Sequence, residues 1–147
     1  MKKLILLIAV TGISATTMFA QNFMTRTGRA SFNATAKNSP EKIEAVNNEV
    51  SSVVSASGDL VFSILVKSFR FERQLMQEHF NENYMESDKF PKADFKGKVA
   101  DVNFAKDGTY NTVATGKLTI HGVSNDVSVP GIVTVKGSSV NLKAKFS

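Results

Sequence analysis

The side chains best suited to proton transfer or metal binding are two histidines, His79 and His121, and no cysteine is present to join them. A catalytic zinc ion generally takes three protein ligands, so Glu78, Glu82 or Asp126 would have to be gathered around both imidazoles. Nucleophilic catalysis has less to work with. Serines and carboxylates are plentiful, yet the chain has no Gly-x-Ser-x-Gly elbow, no His-Glu-x-x-His helix and no glycine-rich phosphate loop. Glu82 stands among the amides between Phe80 and Tyr84, not beside a second carboxylate. Nucleophile, base and oxyanion donor therefore cannot be assigned together. The expectation is a non-enzyme with no catalytic residue, no metal and no cofactor. His79 is expected to pack between a helix and the strands, and His121 to end a strand before a turn at Gly122, each hydrogen-bonded.

What the chain has in quantity is apolar side chains at strand spacing, including 11 phenylalanines. Val140, Leu142, Ala144 and Phe146 alternate with Asn141, Lys143 and Lys145, which reads as an antiparallel strand with one wet face. Leu60, Phe62, Ile64 and Val66 share one parity, but Phe69 and Phe71 take the other, so a β-bulge is expected near Lys67 and Ser68. A second slip separates Phe95, Gly97 and Val99 from Ala100, Val102 and Phe104. Two bulged strands imply strong curvature. Ala114, Gly116, Leu118 and Ile120 form another inner row whose small members allow close approach of a backbone or a ligand. Turn signals at Gly58-Asp59, Asp107-Gly108, Gly122, Pro130-Gly131 and Gly137 separate about seven strands. One stretch differs: from Arg73 to Met85 the residues Met76, His79, Phe80, Asn83 and Tyr84 fall at helical spacing, and Phe90-Pro91 ends the excursion.

The amino terminus has the order of a cleavable signal peptide: Lys2 and Lys3, an apolar run from Leu4 to Val10, then small and polar residues to Ala20. The run is too short for a spanning helix, so cleavage after Ala20 is expected to leave no stable membrane anchor. The division is thus residues 1–20 as signal and residues 21–147 as one domain, exported and, in a bacterium, periplasmic. Removing the signal takes two basic residues and no acid, lowering the formal charge of +5 by two. The remaining Lys and Arg alternate with apolar residues instead of collecting on one face, which argues against nucleic acid as a partner. Without cysteine, neither disulfides nor lipid attachment at a terminal cysteine can hold the domain, so core packing and strand pairing must.

Residues 68–71 (SFRF), Leu75-Met76, residues 78–87 (EHFNENYMES) and residues 89–97 (KFPKADFKG) closely resemble the YceI-like family. Residues 116–123 (GKLTIHGV) resemble its second signature, in the right order and one hairpin away. The resemblance extends over residues 27–146. It implies an all-β, antiparallel lipocalin-like barrel with one short amphipathic helix between strands, exported to the periplasm and holding a long isoprenoid chain inside. Members typically continue beyond the equivalent of Phe146, so the barrel is expected to be incomplete at its C-terminus, with the strand around Val140 an edge blunted by Lys143 and Lys145.

On the residues alone, the inner phenylalanines read as a filled core; the resemblance turns that into a slot for one apolar tail. Phe62, Ile64, Phe69, Phe71 and Phe95 are its expected lining, continued by Val102, Phe104, Leu118 and Ile120. From the helix, Met76, Phe80, Tyr84 and Met85 are expected to face inward as adaptable packing, a plug more than a lid. The expected partner is an isoprenoid or similar long-chain lipid. The alternative is a non-catalytic interaction protein with a filled interior, for which the sequence also allows a homodimer.

Overall fold

The computed structural model describes residues 21–146; the expected signal segment, residues 1–20, lies outside the described residues. Eight strands form one antiparallel sheet: β1 (Asn22–Asn33), β2 (Glu44–Ser55), β3 (Asp59–Leu65), β4 (Arg70–Phe71), β5 (Lys92–Val99), β6 (Gly108–Ile120), β7 (Val123–Lys136) and β8 (Ser139–Ala144). Their order is β1-β2-β3-β5-β6-β7-β8, and the two-residue β4 pairs with the far end of β2. The sheet curls into a nearly closed barrel, as expected, with one strand more than the sequence signals suggested.

Alternation sets the inner rows. Phe62 stands opposite Phe95, and Phe95 opposite Leu118, so one cross-strand row joins β3, β5 and β6. In the next row Leu60, Gly97, Gly116 and Val127 are register partners. A methyl group on Gly97 would lie 2.1 Å from the Thr115 carbonyl oxygen and 2.7 Å from the Phe95 ring, and one on Gly116 would lie 2.5 Å from the Gly97 Cα. The paired glycines therefore let two backbones close up and let the Phe95 ring lie over them, which tightens the curl. This is the close approach that the small residues of β6 led us to expect.

Both phase slips occur, but neither is a bulge inside one strand. After Leu65 the chain makes a 3₁₀ turn over Val66–Ser68, anchored by the Val66 N–H on the Pro91 carbonyl at 2.9 Å, and re-enters as β4, again against β2 but farther along it. At the second slip β5 ends at Val99, and residues 100–107 form a loop with Asp101 in the left-handed region. Val102 and Phe104 fold back from this loop instead of extending a strand.

That loop closes one end of the barrel. Val54, Leu60, Phe95, Val99, Phe104, Val133 and Val135 form the buried core there. The seam between the edge strands β1 and β8 is filled at this end by side chains: Phe23 stacks on Phe104 at 5.9 Å, and Val140 and Leu142 pack against the same core. The adjoining β2–β3 turn is tied by Asp59, which accepts from the Ser57 hydroxyl at 2.9 Å and faces the Lys98 ammonium at 3.3 Å. The Ser57 bond first, then Lys98, hold the Asp59 carboxyl below its ordinary pKa.

The other end is built differently. β8 pairs only with Gly131–Lys136 of β7, so among the described residues the first half of β7 has β6 as its single strand partner. The wall is correspondingly open there. Across this open end runs helix α1 (Gln74–His79), continued by a π-helical turn over Phe80–Tyr84.

Candidate functional site

The inner face changes character along the barrel. At the closed end its apolar side chains are buried, whereas towards the open end Phe62, Ile64, Leu118 and Val127 are half-buried and Ile120, at the rim, is 41% exposed. Val123, paired with Ile120 across the β6–β7 turn, is also exposed. This less-buried stretch of inner face, from Phe62 and Leu118 to the rim, is a trough in the sense of an apolar surface above a packed floor. Phe95, 1% exposed and stacked on Phe62 at 5.2 Å, forms that floor.

One side of the trough is aromatic. Phe80 reaches in from the π-helical turn to Phe32 at 5.4 Å, Phe69 at 5.7 Å and Phe71 at 5.0 Å between ring centroids. All four rings are half-buried. The helix is set over them by Gln77, whose side-chain amide donates to the Phe69 carbonyl at 2.7 Å and whose oxygen accepts from the Phe71 N–H at 3.1 Å. Phe32 escaped the sequence reading. It shares parity with Gly28 and Ala30, a small-small-large inner row that was its available signal, but irregular pairing around Gly28 blurs the alternation.

Of the residues expected to face a slot, Phe62, Ile64, Phe95, Leu118 and Ile120 fall on the inner face, Phe69, Phe71 and Phe80 on the aromatic side, and Met85 is half-buried just after the π-helical turn. Of the other four, Tyr84 departs from its expected inward position. Val102 and Phe104 lie in a loop instead of a strand and pack into the core cluster that contains Phe95, Phe104 buried within it. Tyr84 is 73% exposed: the extra residue in a π-helical turn rotates the positions after Phe80 away from the phase a regular helix would give. Met76 borders an outer hollow of about 440 Å³ together with Arg70, Arg73 and the segment 40–46. A second hollow, about 480 Å³, lies where β7 and β8 diverge near Pro130 and Lys143. It is open and shallow, and it lies away from the aromatic rings.

The two histidines are not brought together. His79 is exposed, and its ring makes no hydrogen bond among the described residues, contrary to the expected packing role. His121 does end its strand at the turn as expected, and its Nε2–H donates to Glu86 Oε2 at 2.7 Å. Among the described residues no group of three or more His, Cys, Asp or Glu side chains could hold a metal ion. No helix of the described residues is long and apolar enough to cross a membrane.

Glu86 and His121 are unusual in their backbones as well. Both adopt left-handed φ, 44° and 52°, where a side chain costs roughly 1–3 kcal/mol. Their surroundings are tight: the Phe90 ring meets His121 edge-on at 4.7 Å and lies where a methyl group on Gly122 would be, 2.5 Å away. Neither residue type nor spacing signals this pairing, which joins positions 35 apart.

A family model for the YceI-like domain matches residues 11–147. The fold is similar to a solved polyisoprenoid-binding domain from Saccharophagus degradans implicated in plant cell wall breakdown (TM-score 0.68, 12% identity, covering 84% of this chain and 74% of that one). It is also similar to BcnA of Burkholderia cenocepacia (TM-score 0.62, 23% identity, covering 79% of this chain and 73% of that one). Among curated proteins none matches the chain.

Proposed function

The chain belongs to the YceI-like domain family, and from that premise we propose that it is a non-catalytic carrier holding one long-tailed, isoprenoid-type lipid along the trough. The observation that carries this reading is the uneven burial of the inner face. A barrel filled for stability alone would bury its inner rows alike, yet here Phe62 and Leu118, on either side of the buried Phe95, and the ring cluster around Phe80 are only partly buried. Such a lining has few polar groups to satisfy, which suits a hydrocarbon tail. Each methylene removed from water would contribute about 0.8 kcal/mol, against which the ordering of tail and side chains is set.

The binding of polyisoprenoid named for the Saccharophagus degradans domain supports this choice of ligand class. Export belongs to the same proposal: residues 1–20 have the order of a signal peptide, and an aqueous space beside a membrane is where an apolar tail needs a soluble container. The test is extraction and mass spectrometry of the protein purified from its host, followed by addition of a long polyprenol to the delipidated chain. About one amphiphile per chain is expected. Reproducible absence of any copurifying amphiphile, together with no uptake of polyprenol, would exclude the carrier reading.

A further inference from the structure

Glu86 and His121 occupy the two positions at the open end where other residues would cost the backbone less. His121 and Gly122, with φ of 52° and 72°, make the two-residue turn between β6 and β7, and turns of this hand favour Asn-Gly. Glu86, with φ of 44°, ends the π-helical turn, a place that glycine usually takes. Residues held in such conformations persist where their surroundings over-determine them. The Glu86 carbonyl accepts from the Lys89 and Phe90 N–H groups and the Phe90 ring packs on His121, while the two side chains share one hydrogen bond and make no other among the described residues.

The bond closes the far end of a segment that crosses the mouth. No residue from Gln74 to Tyr84 is buried. The segment is held at its start by Arg73 on Glu41 at 2.6 Å, in the middle by Gln77 and Phe80, and at its end by the buried Ser87, by Asp88 paired with Lys67, by Glu86 on His121 and by Phe90 against Gly122. Beside the end tether, Asn81 Oδ1 is buried with no hydrogen-bond partner among the described residues, a cost that lifting the segment would relieve by exposing the oxygen to water. Permanent closure would be served by buried apolar packing. The Glu86–His121 bond joins two part-exposed groups, which suits a contact that opens and re-forms.

We infer that Glu86 and His121 form a latch that holds residues 74–90 across the mouth and sets the rate at which a lipid enters and leaves. This rests on the carrier reading. The variants His121→Asn and Glu86→Gly suit their turns better than the native residues, so both should fold with melting temperatures equal to or above that of the unaltered protein. Each should speed transfer of a pyrene-labelled polyprenol from the protein to phosphatidylcholine vesicles by about tenfold, as expected for loss of one charge-assisted hydrogen bond. The double variant should be no faster than either single one, because both remove the same contact. Unchanged transfer in the single variants, or accelerations that multiply in the double, would overturn the latch. If the unaltered protein takes up no polyprenol, the carrier reading has failed, and the latch is then judged by amide hydrogen exchange. Faster exchange over residues 74–90 in each variant supports it, and protection equal to that of the unaltered protein overturns it.

Discussion

Replacing Leu118 with Asp is expected to reduce polyprenol affinity by roughly 100-fold or more while lowering the melting temperature by only a few degrees. The two effects separate because Leu118 is half-buried. Without ligand, a carboxylate at this position keeps access to water and pays little. With a hydrocarbon tail laid over the Phe62–Phe95–Leu118 row, the same carboxylate would be stripped of water beside side chains that offer it no donor. Uncompensated burial of that kind costs several kcal/mol, or else forces the group to bind a proton. Ile64→Asp, on the same face nearer the rim, should behave likewise. The readouts are polyprenol titration and thermal melting of each variant. A variant that melts normally and still binds at full affinity would place the lipid elsewhere.

Phe95→Ala should have the opposite balance, with a loss of about 3–5 kcal/mol in folding stability. Phe95 is 1% exposed, stacks on Phe62, and rests over the Gly97–Gly116 pair, so the deleted ring leaves a hole bounded by backbone that is already as close as it can come. Collapse around the hole is therefore limited. For a domain of this size the loss corresponds to a fall in melting temperature on the order of 10–20 °C. Phe62→Ala should cost distinctly less, since its ring is half-exposed and its removal leaves an indentation that water can enter. Urea denaturation of the two variants checks the order; equal losses would contradict the division into packed floor and open trough.

Much of this architecture was legible where its cause is local. Alternation along Val140, Leu142 and Ala144, and along Leu60, Phe62 and Ile64, identified strands and their inner faces, because a period of two leaves no other way to bury one set of side chains. The phase slips near Lys67 and after Val99 were visible as slips. Their nature was not, since the 3₁₀ turn at Val66 depends on the carbonyl of Pro91 and the loop after Val99 on packing at the closed end.

The site divides in the same way. Phe62, Ile64, Leu118 and Ile120 could be assigned to the inner face from parity alone. Tyr84 could not be placed, because helical spacing presumes 3.6 residues per turn and the π-helical turn after His79 departs from it. Phe32 and the pairing of Glu86 with His121 depend on contacts between distant segments and on backbone conformations that residue type disfavours. These are the features that composition and periodicity do not encode.

The open-end trough, and not the closed-end core or the outer face, is expected to receive the lipid. The most direct measurement is a methyl NMR titration of the delipidated protein with a long polyprenol. Saturating shifts near one equivalent are expected at Ile64, Leu118, Ile120 and Val127, with Val54, Val133 and Val135 of the closed end nearly unmoved. Shifts confined to the outward-facing Met24, Val53 and Val61, or no saturable shift at all, would contradict it.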